Sequence, residues 1–336
     1  MKQAFLKAPF LIEIRDVPKP RPAADEALIR VKACGVCGSD VNTARTAEEF
    51  RPFGHEFSGT VEQVGADVKN VAVGDKVTVE SSSFCGNCAM CRNAHPELCE
   101  RRYIFAPVYN GFSEYVTAKA GSLVRFDGIS FEEAAIVEPM GVAMDMVNVA
   151  DIDLNDHVVV YGAGPIALLA VRLARLKGAG RVTVLAHSHS KARIALGSFY
   201  GADEIILTDE TAPEQALKGQ RVDRVLLTTP PNTIASAVEF ASFGAIISVI
   251  GIAKTKRESM CELDINKMHF KRLQLRFSFA SPALFFPQCI DMIRKGLVDV
   301  KPLISHRFKI DEMQKAMLTL QNDSERAVKV MMVSKD

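Results

Sequence analysis

His157-Val158-Val159-Val160-Tyr161-Gly162-Ala163-Gly164-Pro165-Ile166-Ala167 is the stretch that decides the fold. Val158 to Tyr161 form a short run without polar interruption, as in a strand buried on both faces. Gly162 opens a tight turn, and Pro165 stands where a helix begins, ahead of the apolar segment Pro165–Lys177. Gly-rich turns alone are common in loops. One that follows a strand and opens a helix fits G-x-G-x-x-G/A, with Ala167 in the third place, and lets backbone approach a pyrophosphate at the helix N-terminus. Gly162, Gly164, Pro165, Ile166 and Ala167 are therefore candidate dinucleotide contacts.

Working outward, strands are predicted at Val182–Leu185, Glu204–Leu207, Val222–Leu227 and Ala245–Ile250, with a helix at about 190–200. Strands alternating with helices imply βαβ units and a doubly wound parallel sheet, an α/β fold. Residues 1 to about 145 read differently. Short alternating stretches such as Ala27–Val31 and Lys76–Val79, punctuated by Gly and Pro, suggest a small β-barrel. Beyond about 284 the chain returns to mixed character and closes on the strand-like Ala327–Val333. A chain of 336 residues exceeds what one core usually serves, so two domains are expected.

Composition narrows the function classes. Hydrophobic residues at 48% and charged residues at 24% are those of a soluble globular protein, and a net charge of +1 implies neither polyanion nor membrane partner. No run approaches a membrane span, and Met1–Lys7 lacks the h-region of a signal peptide. Unpaired-looking Cys34, Cys261 and Cys289 fit a reducing cytosol, so a cytoplasmic location is expected.

The coenzyme follows from a missing charge. NAD sites place Asp or Glu at the end of the second strand to bind the ribose 2′-hydroxyl. From Arg181 through Tyr200 there is no carboxylate, and the strand end reads Ala186-His187-Ser188-His189-Ser190-Lys191-Ala192-Arg193. Hydroxyls beside cations suit a 2′-phosphate. NADP(H) is expected over NAD(H), held by Ser188, His189 and Arg193; the alternative is a solvated helix start.

Cys85, Cys88, Cys91 and Cys99 take half of the eight cysteines and form C-x2-C-x2-C-x7-C. Four thiolates within fifteen residues can surround one Zn2+ with no open position, which makes the site structural. Disulfides would need an oxidising compartment, and Cys99 is followed by Glu100 rather than the Pro of ferredoxin motifs. Chemistry must come from a second set: Cys37-Gly38-Ser39-Asp40, Gly54-His55-Glu56 and Glu138-Pro139. Each piece alone reads as structural. Together they offer thiolate, imidazole and carboxylate, the donors of an open zinc site. Cys34 and Cys37 also spell C-x-x-C, but the following Gly-Ser-Asp favours a ligand over a redox pair.

These motifs occur in the order Cys-Gly-Ser-Asp, Gly-His-Glu, four-Cys lobe, Glu-Pro and Rossmann turn, and the C-terminal Lys295-Gly296, Pro302–His306 and Lys329-Val330 complete the pattern. The chain thereby resembles the zinc-dependent medium-chain dehydrogenase/reductase family, closest to its polyol and threonine dehydrogenase branch. The resemblance implies a GroES-like catalytic domain over 1–147 and 284–336, with a Rossmann dinucleotide-binding domain over 148–283 inserted between. It makes Cys37 and His55 zinc ligands, leaves Glu56 and Glu138 unranked as the carboxylate, and casts Asp40 as the acid that orients the His ligand. Ser39 becomes the hydroxyl that bonds the reacting oxygen and relays its proton. Two zinc ions per chain and hydride transfer between an alcohol and nicotinamide follow.

Against the family pattern, Asn42 replaces the usual relay His, and the stretch between Asp40 and His55 is short. The implied substrate is a polyol, sugar acid, cyclitol or related secondary alcohol, or alternatively a hydroxy-amino acid or aminocyclitol used with NAD. Phe53, Phe105 and Phe279 are candidate walls of an interdomain cleft, with plain core the stronger reading for each. Homodimers or homotetramers are implied through Rossmann sheet edges, with Ala245–Ile250 and Leu273–Phe279 as candidate runs that read equally well as interior strands. A non-catalytic dinucleotide sensor should have lost its ligands. A zinc-based nucleic-acid binder would need more basic surroundings than Arg101-Arg102.

Overall fold

The computed structural model describes residues 1–80, 84–101, 110–279 and 284–334. From the N-terminus come β1 (Lys2–Lys7), β2 (Leu11–Asp16), β3 (Glu26–Gly35), β4 (Arg51–Pro52), β5 (Glu56–Val64), β6 (Lys76–Val79), β7 (Tyr115–Lys119) and β8 (Leu123–Arg125). Helix α1 (Gly38–Thr46) follows β3, and the single turn α2 (Ala89–Arg92) lies among the four cysteines. Next are α3 (Phe131–Ala135) and α4 (Val137–Val149). Ser130 caps α3 by accepting the Glu133 N–H while the Glu133 carboxylate accepts the Ser130 N–H, a reciprocal capping box.

The second unit is built on β9 (His157–Tyr161), β10 (Arg181–Ala186), β11 (Glu204–Leu207), β12 (Arg224–Leu227), β13 (Ile246–Val249) and β14 (Gln274–Phe277). All pair in parallel in the order β11-β10-β9-β12-β13-β14. Val158, Val159 and Val160 are fully buried at the sheet centre, which explains an apolar run in place of alternation. Helix α5 (Pro165–Lys177) packs Leu168, Leu169, Leu173 and Ala174 inward and stops at left-handed Gly178. Helix α6 (Lys191–Tyr200) ends the same way at Gly201. Strand order reverses at β9, so the crevice beyond its carboxyl end is the ligand position of a doubly wound sheet.

The chain then returns to the first sheet. β15 (Ile304–Phe308) lies beside β16 (Lys329–Val333), which pairs antiparallel with β3, and the path runs β15-β16-β3-β5-β6-β8, with β7 also on β3. The core of this unit gathers Ile29, Val31, Phe57, Phe112, Val330 and Met332. A three-stranded sheet, β2-β1-β4, completes it.

One compact unit comprises Met1–Gly141, Ser281–Asp323 and Lys329–Asp336; the other comprises Val142–Ala280 and Ser324–Val328. The division falls inside α4, whose later turns belong with the parallel sheet. The Met146 carbonyl accepts the Ser248 hydroxyl at 2.9 Å and Asp145 accepts that of Ser278 at 2.5 Å. Ser324–Val328 joins the same unit through Lys191–Glu325 at 2.9 Å and Arg193 Nε to the Ala327 carbonyl at 3.1 Å. Among the described residues no helix is long and apolar enough to cross a membrane.

Two readings left open by the sequence close here. Ala245–Ile250 is not a sheet edge: β13 is bonded on both sides and Ile246, Ile247 and Val249 are buried. Phe53 is not a cleft wall but core, 3% exposed with its ring 4.6 Å from that of Phe112. Phe105 lies outside the described residues, and Phe279 is half exposed.

Candidate active site

Cys37 stands at the junction of β3 and α1, Glu56 opens β5, and His55 immediately precedes it. The β3–β5 register sets Gly35 opposite Glu56, which brings the two segments together. One donor atom from each of Cys37, His55 and Glu56 lies within 4.8 Å of the others. Gly54 turns the chain into His55 with φ +94°, and its carbonyl accepts the Gly111 N–H at 2.9 Å. Asp40 is buried; one carboxylate oxygen accepts the Cys37 N–H at 2.9 Å and the other lies 3.9 Å from His55 Nδ1. Ser39 is exposed in the first turn of α1, with Asn42 one turn on.

The electrostatics match a cation site. Burial pushes the Asp40 carboxyl above its usual range and that of Glu138 up to about 7, with Glu56 adding repulsion in both cases. Burial would lower His55, but Cys37, Glu138 and Asp40 outweigh it and drive the imidazole well above its ordinary value. Thiolate, imidazole and carboxylate donors gathered in one anion-rich place fit zinc.

The sequence reading missed one member of this group. Lys329, at the head of β16 and 3% exposed, forms an ion pair with Glu56 and donates to the Val36 carbonyl at 3.1 Å. Burial would lower its ammonium, but Glu56, Cys37 and Glu138 hold it above the usual lysine value. Cys34 is buried in the core and burial drives its thiol well up, so it behaves as an apolar side chain.

The four lobe cysteines also converge, with donor atoms mutually within 4.8 Å. The Cys85 N–H and Arg101 N–H point at Cys99 Sγ, both at 3.4 Å, and the Cys88 N–H at Cys85 Sγ, at 3.3 Å. Backbone N–H groups of Cys91 and Glu100 bring Cys88 down to about 6, whereas burial and the neighbouring Cys88 push Cys91 up to about 12. No cysteine is in a disulfide. Four sulfurs and no open position fit structural zinc.

At the carboxyl end of β9, Gly162 has φ +121°, and a Cβ there would run into Thr228 Oγ1, so only glycine makes this turn. Gly164 caps α5, and a Cβ on it would meet nothing within 4 Å, which leaves the free N–H groups of the helix open to a phosphate. Pro165 is the first residue of the helix, Ile166 is half-buried and Ala167 is buried.

The β10 end differs from expectation. Ser188 donates both N–H and O–H to Asp209, at 2.9 and 2.6 Å, and these bonds hold the Asp209 carboxyl below its usual range. Arg193 is half-buried, its Nε spent on the Ala327 carbonyl, and Lys191 is paired with Glu325. His187 and His189 are exposed and stacked, with ring centroids 5.5 Å apart.

Family models of an alcohol dehydrogenase GroES-like domain and of a zinc-binding dehydrogenase match residues 23–128 and 165–295. L-idonate 5-dehydrogenase of Vitis vinifera is 30% identical over 309 residues, covering 84% of this chain and 81% of that protein. The chain belongs to the zinc-dependent medium-chain dehydrogenase family, in its polyol and threonine dehydrogenase branch. As a member it is an NAD(P)-linked zinc-dependent alcohol or polyol dehydrogenase, with a Rossmann domain inserted in a GroES-like barrel. Two solved dehydrogenases cover 99% of it and are themselves 99% covered. One is an Escherichia coli CFT073 alcohol dehydrogenase complexed with NADH, TM-score 0.89 at 28% identity. The other is a zinc-binding dehydrogenase of Sinorhizobium meliloti bound to NADP, TM-score 0.86 at 26% identity.

Proposed function

We propose that this dehydrogenase moves a hydride between a secondary alcohol of the polyol, sugar-acid or cyclitol class and NADP(H), and holds two zinc ions per chain. The observation that carries the reading is the convergence of Cys37, His55 and Glu56 in one buried group. In this reading Cys37 and His55, with Glu56 or Glu138, hold the catalytic zinc, and the four lobe cysteines hold the structural one. The catalytic zinc, when bound, polarises the substrate oxygen. Asp40 tethers the Cys37 backbone and orients the His55 ring. Ser39, exposed beside Cys37, accepts the substrate's hydroxyl proton as it gives its own to solvent, since Asn42 cannot titrate. Glycines 162 and 164 let the pyrophosphate reach the N-terminus of α5.

The NADP(H) preference rests on the missing carboxylate between Arg181 and Tyr200. The exposed His187 and His189 stand ready there, and Ser188 becomes available once Asp209 releases it. Residues 1–147 with 284–336 form the catalytic domain of this reading, and 148–283 the dinucleotide-binding domain. Free cysteines support a cytoplasmic location, and the β14 edge, with Phe277 67% exposed, supports a homo-oligomer built edge to edge. The test is zinc content together with a polyol, sugar-acid and hydroxy-amino-acid panel read with both coenzymes. Cys37→Ser should lose one zinc and all turnover while keeping its fold. Retained activity refutes the site, and equal or better efficiency with NAD(H) refutes the coenzyme preference.

A further inference from the structure

Two exposed histidines mark the carboxyl end of β10. The Gly162 N–H donates to the Leu185 carbonyl at 3.0 Å, so the glycine turn touches this strand two residues before His187. The Thr208 N–H donates to the Ala186 carbonyl at 2.8 Å, which brings Asp209 alongside. The His187 and His189 rings are stacked, 5.5 Å apart and 16° from parallel. His187 Nδ1 lies 3.9 Å from the Asp209 carboxylate, which also holds Ser188. The other charged side chains of the adjoining segments offset one another. Lys191 pairs with Glu325 at 2.9 Å, and Arg193 gives its Nε to the Ala327 carbonyl at 3.1 Å. With Arg326 beside Glu325 and Glu210 beside Asp209, three cations stand against three anions. The imidazoles therefore decide the sign of the charge at this strand end. Histidine changes charge near neutral pH. Two stacked imidazolium rings repel each other, and a dianion laid across them relieves that repulsion.

We propose that His187 and His189 are specificity-determining residues of the coenzyme site and make the choice between NADP(H) and NAD(H) depend on pH. Protonated, the pair receives the 2′-phosphate and offsets Asp209. Neutral, it leaves Asp209 and Ser188 to face the ribose hydroxyl. This selection rests on the NADP(H) reading above and adds its regulation. Preference for the phosphorylated coenzyme is then fullest at low pH and fades as pH rises through the histidine range.

Calorimetry on the whole protein with adenosine 2′,5′-bisphosphate and adenosine 5′-monophosphate tests this without turnover. At about pH 7.5 the 2′-phosphate is already largely a dianion, so buffers of different ionisation heat report protons taken up by the protein. The bisphosphate should bind with uptake of roughly one proton more than the monophosphate. The affinity ratio of the two should fall roughly tenfold between about pH 6.5 and about pH 8.5, the scale of two exposed charges. His187→Asn with His189→Asn should abolish both the extra uptake and the fall. His187→Lys with His189→Asn should keep the bisphosphate preference and lose its pH dependence. No preference for the bisphosphate at any pH refutes the coenzyme reading and this proposal with it. A preference without proton uptake, or a fall with rising pH that survives in the double asparagine variant, overturns the proposal and leaves the NADP(H) reading in place.

Discussion

Gly54→Ala should damage the metal site through backbone and packing together, and a matched glycine separates the two contributions. Gly54 has φ +94°, and a methyl built on it would lie 2.5 and 2.8 Å from two ring carbons of Phe112 and 3.0 Å from Cys34 Sγ. Phe112 has no room to retreat, being fully buried with its ring 4.6 Å from that of Phe53. Gly74 has nearly the same φ, +93°, but a methyl there meets nothing within 4 Å. Left-handed backbone costs a non-glycine residue about 1–2 kcal/mol. Overpacking a filled core costs about 1–3 kcal/mol more. Gly74→Ala should therefore lose about 1–2 kcal/mol and Gly54→Ala about 2–5 kcal/mol of unfolding free energy. Guanidinium titration of the zinc-loaded proteins measures both, with zinc content read alongside. Because Gly54 aims His55, its variant alone should bind the catalytic zinc less tightly. Equal losses in the two variants, or full zinc retention in Gly54→Ala, would refute the reasoning.

Other outcomes follow from the same geometry. Cys88→Ser should cost one zinc per chain and expose residues 84–101 to proteolysis, while the Cys37 metal stays; loss of both metals would show that the lobe supports the active site directly. Asp209→Asn should raise kcat/KM for NADP(H) roughly fivefold relative to NAD(H), the scale of one exposed charge, because it removes an anion and loosens Ser188. A fall in that ratio would count against the NADP(H) reading. Phe277→Glu on the β14 edge should shift the protein toward monomer in sedimentation velocity, and an unchanged oligomer would locate the interface elsewhere.

Local sequence carried the parallel sheet well, because a strand buried on both faces, a glycine turn and an amphipathic helix are all written within a few residues. Val158–Tyr161 with Gly162 and Pro165 needed no partner to be read. The four-cysteine lobe was equally local. What escaped depends on partners distant in sequence. Sheet order is one case: Ala245–Ile250 is a nearly continuous apolar run and Leu273–Phe279 is broken by Gln274, Arg276 and Ser278, but which strands flank each is set by distant partners. Asp209 is another, since it reaches Ser188 from the end of the next strand, 21 residues on. Lys329 is the clearest, because a lysine at the head of a strand reads as solvated. One signal was available: Val330, Met331, Met332 and Val333 show no polar alternation, so β16 has no wet face for Lys329 to occupy.

The placement of β16 bears on how the protein is made. This strand lies between β15 and β3, so a sheet begun near residue 26 stays incomplete until residue 333 is available. The parallel sheet needs almost nothing outside 142–280, and so can form while the ribosome still holds the tail. Until β16 is available, Ala33–Gly35 of β3 lack their β16 partners, Glu56 lacks Lys329, and the donors around Cys37 are not yet locked in place. Metal capture at that site thus waits for β16, whereas the four-cysteine lobe, closed within fifteen residues, can bind zinc long before β16 is made.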